Sequence, residues 1–198
     1  MFWAAPDGGL EVRAESDGSK TLSGRFPYNS LATLSDGGRR GKPRKERFAP
    51  GAFKHSVDTL REVRLLIGHD WSKPIASRGT ETLILEDAED ALTFEATIPP
   101  EVVETSHFKD AMALLASGLA TGISPGFRIP PERTVENAET VEEEDPAEGE
   151  ALIRTVHEAI LSELSLVTNP AYAESSVESR SWDAEPPRFA RPMMWYYR

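Results

Sequence analysis

The sequence contains no cysteine. That excludes disulfides, thiolate metal sites and cysteine nucleophiles together, and it is compatible with a reducing compartment. No apolar run approaches the length of a membrane span, and the N-terminal residues lack a signal-peptide pattern, so no membrane partner is expected. Histidine is scarce: four in 198 residues, at positions 55, 69, 107 and 157. None has the spacing of a zinc or similar site, and no metal or cofactor is expected. Internal repeats are absent as well. The length suits one domain with a real hydrophobic core.

Charge is plentiful but uneven. Of the net charge of −11, the stretch from Pro131 to Glu150 holds nine carboxylates against one arginine, leaving −3 for the rest. This composition predicts a disordered acidic insertion over 131–150. A positive cluster, Arg39, Arg40, Lys42, Arg44, Lys45 and Arg47, lies in a Gly/Pro-containing stretch without interleaved aromatics. It reads as a solvated, flexible loop over 35–47, and nucleic acid is not an expected partner.

The hydrophobic pattern supplies mostly strands. Residues 10–14 and 21–28 form an expected hairpin around Asp17-Gly18, and 82–85 with 91–98 a second, with 86–90 as its tip. The alternation of Leu92, Phe94, Ala96 and Ile98 with polar residues marks a half-buried strand. Val63 to His69 reads as a buried strand, Leu119 to Ile129 as another, and Ala151 to Thr168 as one bent or broken run. A short helix is expected over 53–60 and a longer one over 102–117, stopped by Gly118. The expected fold is mainly β or α+β: an antiparallel, barrel-like core with a few flanking helices. One domain would span 1–177, with the first nine residues frayed and a flexible tail over 178–198.

Three residues invite chemistry. Ser124 stands in Gly122-Ile-Ser-Pro-Gly126. Pro125 pushes it to extended backbone, and the glycines leave that backbone open to close approach. This describes an exposed serine suited to act as a nucleophile, or an ordinary Gly/Ser/Pro loop. His69 closes an apolar strand and precedes Asp70-Trp71; it reads as a base fixed at a rigid strand end or as a structural cap of the sheet edge. Glu163 shares strand parity with Leu161, Ser165 and Val167, and a carboxylate in such company needs a partner. A histidine is the natural one. His157, six residues earlier on the same parity, is the alternative orienting group. The serine segment also fits the text of an α/β-hydrolase nucleophile elbow, but a helix precedes the serine and Pro130-Pro131 blocks one after it, so the elbow is rejected.

The ordered set of features resembles the prohead (procapsid maturation) serine proteases of tailed bacteriophages, a family similar in fold to the herpesvirus assemblins. It comprises Pro50-Gly-Ala-Phe53, Val63 to Asp70 with Pro74-Ile75, Leu85-Glu-Asp87 with Ala91-Leu92, Asp110-Ala111 with Leu114-Leu115, Gly122 to Phe127, and Leu161 to Tyr172. The resemblance implies a nucleophilic Ser124 and a basic His69, with Glu163 of Glu-Leu-Ser-Leu-Val as third member where assemblins use a second histidine. Ala76 departs from the glycine that often follows the Pro-Ile pair. The implied substrates are the major capsid protein or its scaffolding segment, the scaffold protein, and the protease itself, cut inside the assembling prohead in the host cytoplasm. Self-association is a further expectation, and the tail a self-cleavage or docking segment. The alternative is a catalytically inactive capsid-assembly or scaffolding module of the same fold.

Overall fold

Polar turns and alternating strands dictate most of the architecture. The computed structural model describes residues 11–39, 41–120, 122–168, 170 and 172. The expected frayed start and the tail over 178–198 lie outside them. Strands β1 (Glu11–Ala14) and β2 (Lys20–Pro27) form the first hairpin. Its turn is set by Asp17, whose carboxylate accepts the Ser19 N–H (2.9 Å) and hydroxyl (2.6 Å), and by Gly18 at φ +89°; such a local side-chain bond mimics a backbone turn. β7 (Leu83–Asp87) and β8 (Ala91–Ile98) form the second. β8 also pairs with β2, which closes a four-stranded antiparallel sheet, β1-β2-β8-β7.

The second sheet, β10-β11-β4-β3, overturns two expectations. It comprises β3 (Ala32–Ser35), β4 (Arg44–Phe48), β10 (Glu139–Glu143) and β11 (Leu152–Val156). The basic stretch is therefore not a loop throughout, and the acidic stretch is not disordered throughout. Both segments pair with β11 through backbone groups, and opposite charges meet across it. Lys42 pairs with Glu143 (2.7 Å), Lys45 with Glu144, and Arg47 with Glu142 (3.1 Å). Each segment alone has the composition of a solvated loop; together they neutralise one another. Beneath them Glu46, 2% exposed, is met by Arg154 Nη1 (2.8 Å) and by the Tyr172 hydroxyl (2.6 Å), and Arg154 also holds Glu139. A buried carboxylate persists only when its oxygens are matched in this way.

The third sheet, β6-β5-β12-β9, carries the candidate site. Its strands are β5 (Arg64–Ile67), β6 (Asp70–Ser77), β9 (Gly122–Arg128) and β12 (Ile160–Val167). The pairs β11–β4 and β12–β5 are parallel, so the fold is mostly β but not wholly antiparallel. Among the described residues, three small sheets stand in place of a closed barrel. Three helices, again among the described residues, accompany them: α1 (Lys54–Asp58), α2 (Pro100–Val103) and α3 (Ser106–Ala116). The single helix expected over 102–117 is split because Thr105 adopts an extended conformation (φ −67°, ψ 148°) and starts a new helix.

Aromatic rings join the sheets. Phe26 of β2, Phe48 of β4 and Phe127 of β9 meet around Phe53 and Tyr172. Phe48 lies 5.3 Å from Phe26, 4.9 Å from Phe127 and 5.0 Å from Phe53. Each sheet thus places one ring in a common junction, and such pairs add about 0.5–1.5 kcal/mol beyond the burial of their surface. No helix among the described residues is long and apolar enough to cross a membrane.

Candidate active site

The site grows from a two-residue hairpin. Ile67 pairs with Asp70, so Gly68-His69 alone connects β5 to β6. Both residues have positive φ, +63° and +59°, as the tight hairpin turn with two left-handed positions requires. Glycine adopts that conformation freely; histidine is one of the few other residues to visit it. The β5 strand end therefore presents His69 at a strained, sharply defined point. Such strain persists only where the surroundings fix it.

The fixing groups come from β12. His69 Nδ1 lies 2.6 Å from Glu163 Oε1. An ionised carboxylate can only accept, so a contact of this kind calls for a proton on Nδ1. The other carboxylate oxygen, Oε2, accepts the Ser165 hydroxyl at 2.6 Å, and the same hydroxyl oxygen accepts the His69 backbone N–H at 3.0 Å. Asp70, next in sequence, does not share this work. Hydrogen bonds from the Ser72 hydroxyl and backbone N–H, with help from Lys73, hold its carboxyl down to about 2.

Register brings the serine in. Antiparallel pairing of β9 with β12 sets Ser124 opposite Ser165 and Gly126 opposite Glu163. Directly opposed residues share a face, with Cβ atoms roughly 5 Å apart. Ser124, Gly126, Glu163 and Ser165 therefore line one face of the sheet. The pairing slips between Leu161 and Glu163, so Ser162 is an extra residue in β12. The expected parity consequently fails at one point: Leu161 faces the core with Leu164 and Leu166, opposite to Glu163. A bulge bends its strand and re-aims the side chains beyond it.

Two further expectations need correcting. Ser124 is not exposed: only 6% of its surface meets solvent. Its flanking glycines admit the chain's own groups. A Cβ on Gly126 would sit 1.9 Å from Glu163 Oε1, and one on Gly122 would sit 2.4 Å from Pro170 Cγ. The room above Gly126 is occupied by the carboxylate that reaches His69.

The remaining histidines lie elsewhere. His157 Nε2 meets the Thr140 hydroxyl at 2.9 Å on an exposed edge, and His107 Nε2 lies 3.3 Å from the Thr105 hydroxyl. Among the described residues no three His, Asp or Glu side chains gather as a metal ion would need. Beside His69 a cleft of about 200 Å³ opens, walled by Ile67, Ala111, Leu114, Ala120 and by residues 166–168 where β12 ends. The roles of Ser165 and Gly126 are not announced by the sequence. Their one signal is shared parity with Glu163 and Ser124.

Comparison with known families decides the broader class. The family model described as caudovirus prohead serine protease matches residues 10–186 of the 198. The chain belongs to the caudovirus prohead serine protease family. No curated protein and no solved structure matches it significantly. Family membership makes this a serine-protease fold of phage head maturation, acting within the assembling prohead.

Proposed function

We propose that the protein is a serine endopeptidase that uses Ser124 as nucleophile, His69 as general base and acid, and Glu163 as the group that orients His69. The observation that carries this reading is the 2.6 Å contact of His69 Nδ1 with Glu163 Oε1, on the sheet face that Ser124 shares. With Nδ1–H committed to the carboxylate, Nε2 takes the proton from the Ser124 hydroxyl as Oγ attacks a peptide carbonyl carbon. The tetrahedral adduct collapses, and the same Nε2–H returns its proton to the departing amine. Water then repeats the sequence on the acyl-serine and frees the new carboxyl end. Backbone N–H groups supply the oxyanion site.

The substrates are the scaffold protein or the scaffolding segment of the major capsid protein, and the protease itself. The apolar cleft beside His69 receives a substrate side chain next to the scissile bond, since its walls are mainly aliphatic. One folded protease domain over 1–177, ahead of a separate tail, completes the reading.

A serine-directed fluorophosphonate tests it. Labelling of Ser124, read by mass spectrometry and lost in Ser124→Ala and His69→Ala, is the expected result. A second reading is favoured by the 6% exposure of Ser124: an assembly module that uses the fold without cleavage. Co-expression of capsid protein with the Ser124→Ala variant separates the two. A protease loses capsid processing, whereas an assembly module keeps its function and never labels.

A further inference from the structure

We propose that Ser165 is a positioning residue of this site, tying the strained His69 turn and the Glu163 carboxylate into one unit. The inference rests on the reading of His69 and Glu163 given above. Ser165 is fully buried, so its hydroxyl cannot exchange partners with water. A hydroxyl has one proton to give. Here it goes to Glu163 Oε2 at 2.6 Å, which leaves the oxygen to accept the His69 N–H at 3.0 Å. One atom therefore fixes both ends of the histidine–carboxylate contact: the backbone from which the imidazole projects and the oxygen pair it meets.

The hydroxyl is not needed to build the sheet. β12 pairs with β5 and with β9 through backbone groups over its length, and those ladders survive the loss of a side-chain oxygen. Without it, Glu163 Oε2 is buried with an unmatched lone pair, and the His69 N–H loses this bond at a left-handed position. Both groups then relax toward other partners, and the Nδ1–Oε1 contact between them is no longer enforced. Ser165 also stands opposite Ser124 across the strand pair, so the relaxation occurs beside the nucleophile.

The test follows the His69 ring directly. In the full-length chain carrying ¹⁵N-labelled histidine, the wild-type ring should show one tautomer, protonated at Nδ1, with a strongly downfield Hδ1 signal. A His69→Asn sample assigns it. Ser165→Ala should lose the downfield signal and show mixed tautomers, and Ser165→Thr, which restores the hydroxyl, should recover the wild-type pattern. Fluorophosphonate labelling of Ser124, run in parallel, should slow on the order of 10²-fold in Ser165→Ala, as a displacement of about 1 Å does at a catalytic centre. In a Glu163→Ala background the same change should cost at most about threefold, since groups acting as a unit are not additive. If Ser165→Ala does not fold, Ser165→Cys carries the same comparison. An unchanged ring spectrum in the folded variant overturns the proposal, and so does an undiminished factor in the Glu163→Ala background. A wild type that never labels, but whose ring responds to Ser165→Ala as described, supports the positioning role and removes the catalytic reading instead.

Discussion

Adding one methyl group at Gly126 should disable the site without touching any reacting atom. The Cβ of Gly126→Ala would stand 1.9 Å from Glu163 Oε1, 2.5 Å from Cδ and 2.7 Å from Cγ. Protein Cβ atoms do not come within 3.0 Å of such neighbours, so Oε1 must retreat by at least 1.1 Å. On its N-terminal side β9 is held by the unbroken pairing of residues 122–126 with β12, so the carboxylate end is the group that moves. The contact of 2.6 Å between Oε1 and His69 Nδ1 is then broken, as is the Ser165 bond to Oε2. A misplacement of that size costs about 10²-fold, and a histidine in the wrong tautomer about 10⁴-fold. The expected loss is therefore about 10²- to 10⁴-fold in the rate of Ser124 labelling, or roughly 3–5 kcal/mol in the barrier. Stability should fall by only about 1–3 kcal/mol, the usual cost of overpacking. Gly122→Ala is the control. Its Cβ would meet Pro170 at 2.4 Å, which strains the packing there but leaves Glu163 in place. Labelling rates and thermal unfolding of both variants decide the matter. A folded Gly126→Ala protein that labels at the wild-type rate refutes the reasoning.

Three further outcomes are expected. Hydrogen bonds from Lys42 and Lys45 hold the pKa of Glu143 and of Glu144 below the ordinary glutamate value. Their stabilisation is thus complete above that value and lost as pH falls through the depressed folded one; exchange protection of the β10 amides, corrected for intrinsic rates, should drop in acid, and constancy down to about pH 3 would contradict the pairing. Arg154→Ala leaves Glu46 buried beside an empty position and should cost about 3–5 kcal/mol in chemical denaturation, with Tyr172→Phe costing less; a loss below about 1 kcal/mol for Arg154→Ala would show that Glu46 finds other partners. Leu114→Glu places a carboxylate in the cleft beside His69 and should impair cleavage of capsid protein while leaving labelling of Ser124 by a small fluorophosphonate nearly unchanged. Equal loss of both would show that the cleft serves the catalytic residues and not the substrate.

Much of the candidate site is legible in the sequence because local rules govern it. Pro125 biases Ser124 toward extended backbone, and the apolar run before His69 favours a buried strand. Glu163 needs a partner and finds a histidine. The hidden part depends on pairing across the chain. The basic stretch before Phe48 and the acidic one before Ala151 each look unable to fold, since composition is read one segment at a time and their neutralisation is mutual. The bulge at Ser162 is equally invisible. It inverts the parity of Leu161 relative to Glu163, and no single-strand alternation reveals an extra residue. The burial of Ser124 arises from the same long-range pairing. Gly126 reads as a gap for a visitor; only the β9–β12 register shows that the space is already taken by Glu163.

The ring junction ties the strand that carries the candidate serine to the rest of the core. Phe127, three residues beyond Ser124 on the same strand, is clasped by Phe48 and Phe53, and Phe48 in turn grips Phe26 of the first sheet. Strand β9 is thereby seated by residues that arrive from all three sheets. A nascent or damaged chain lacking any one of them leaves β9 unanchored and its serine out of register with Ser165. Placement of the candidate serine is thus coupled to completion of the core that joins the three sheets.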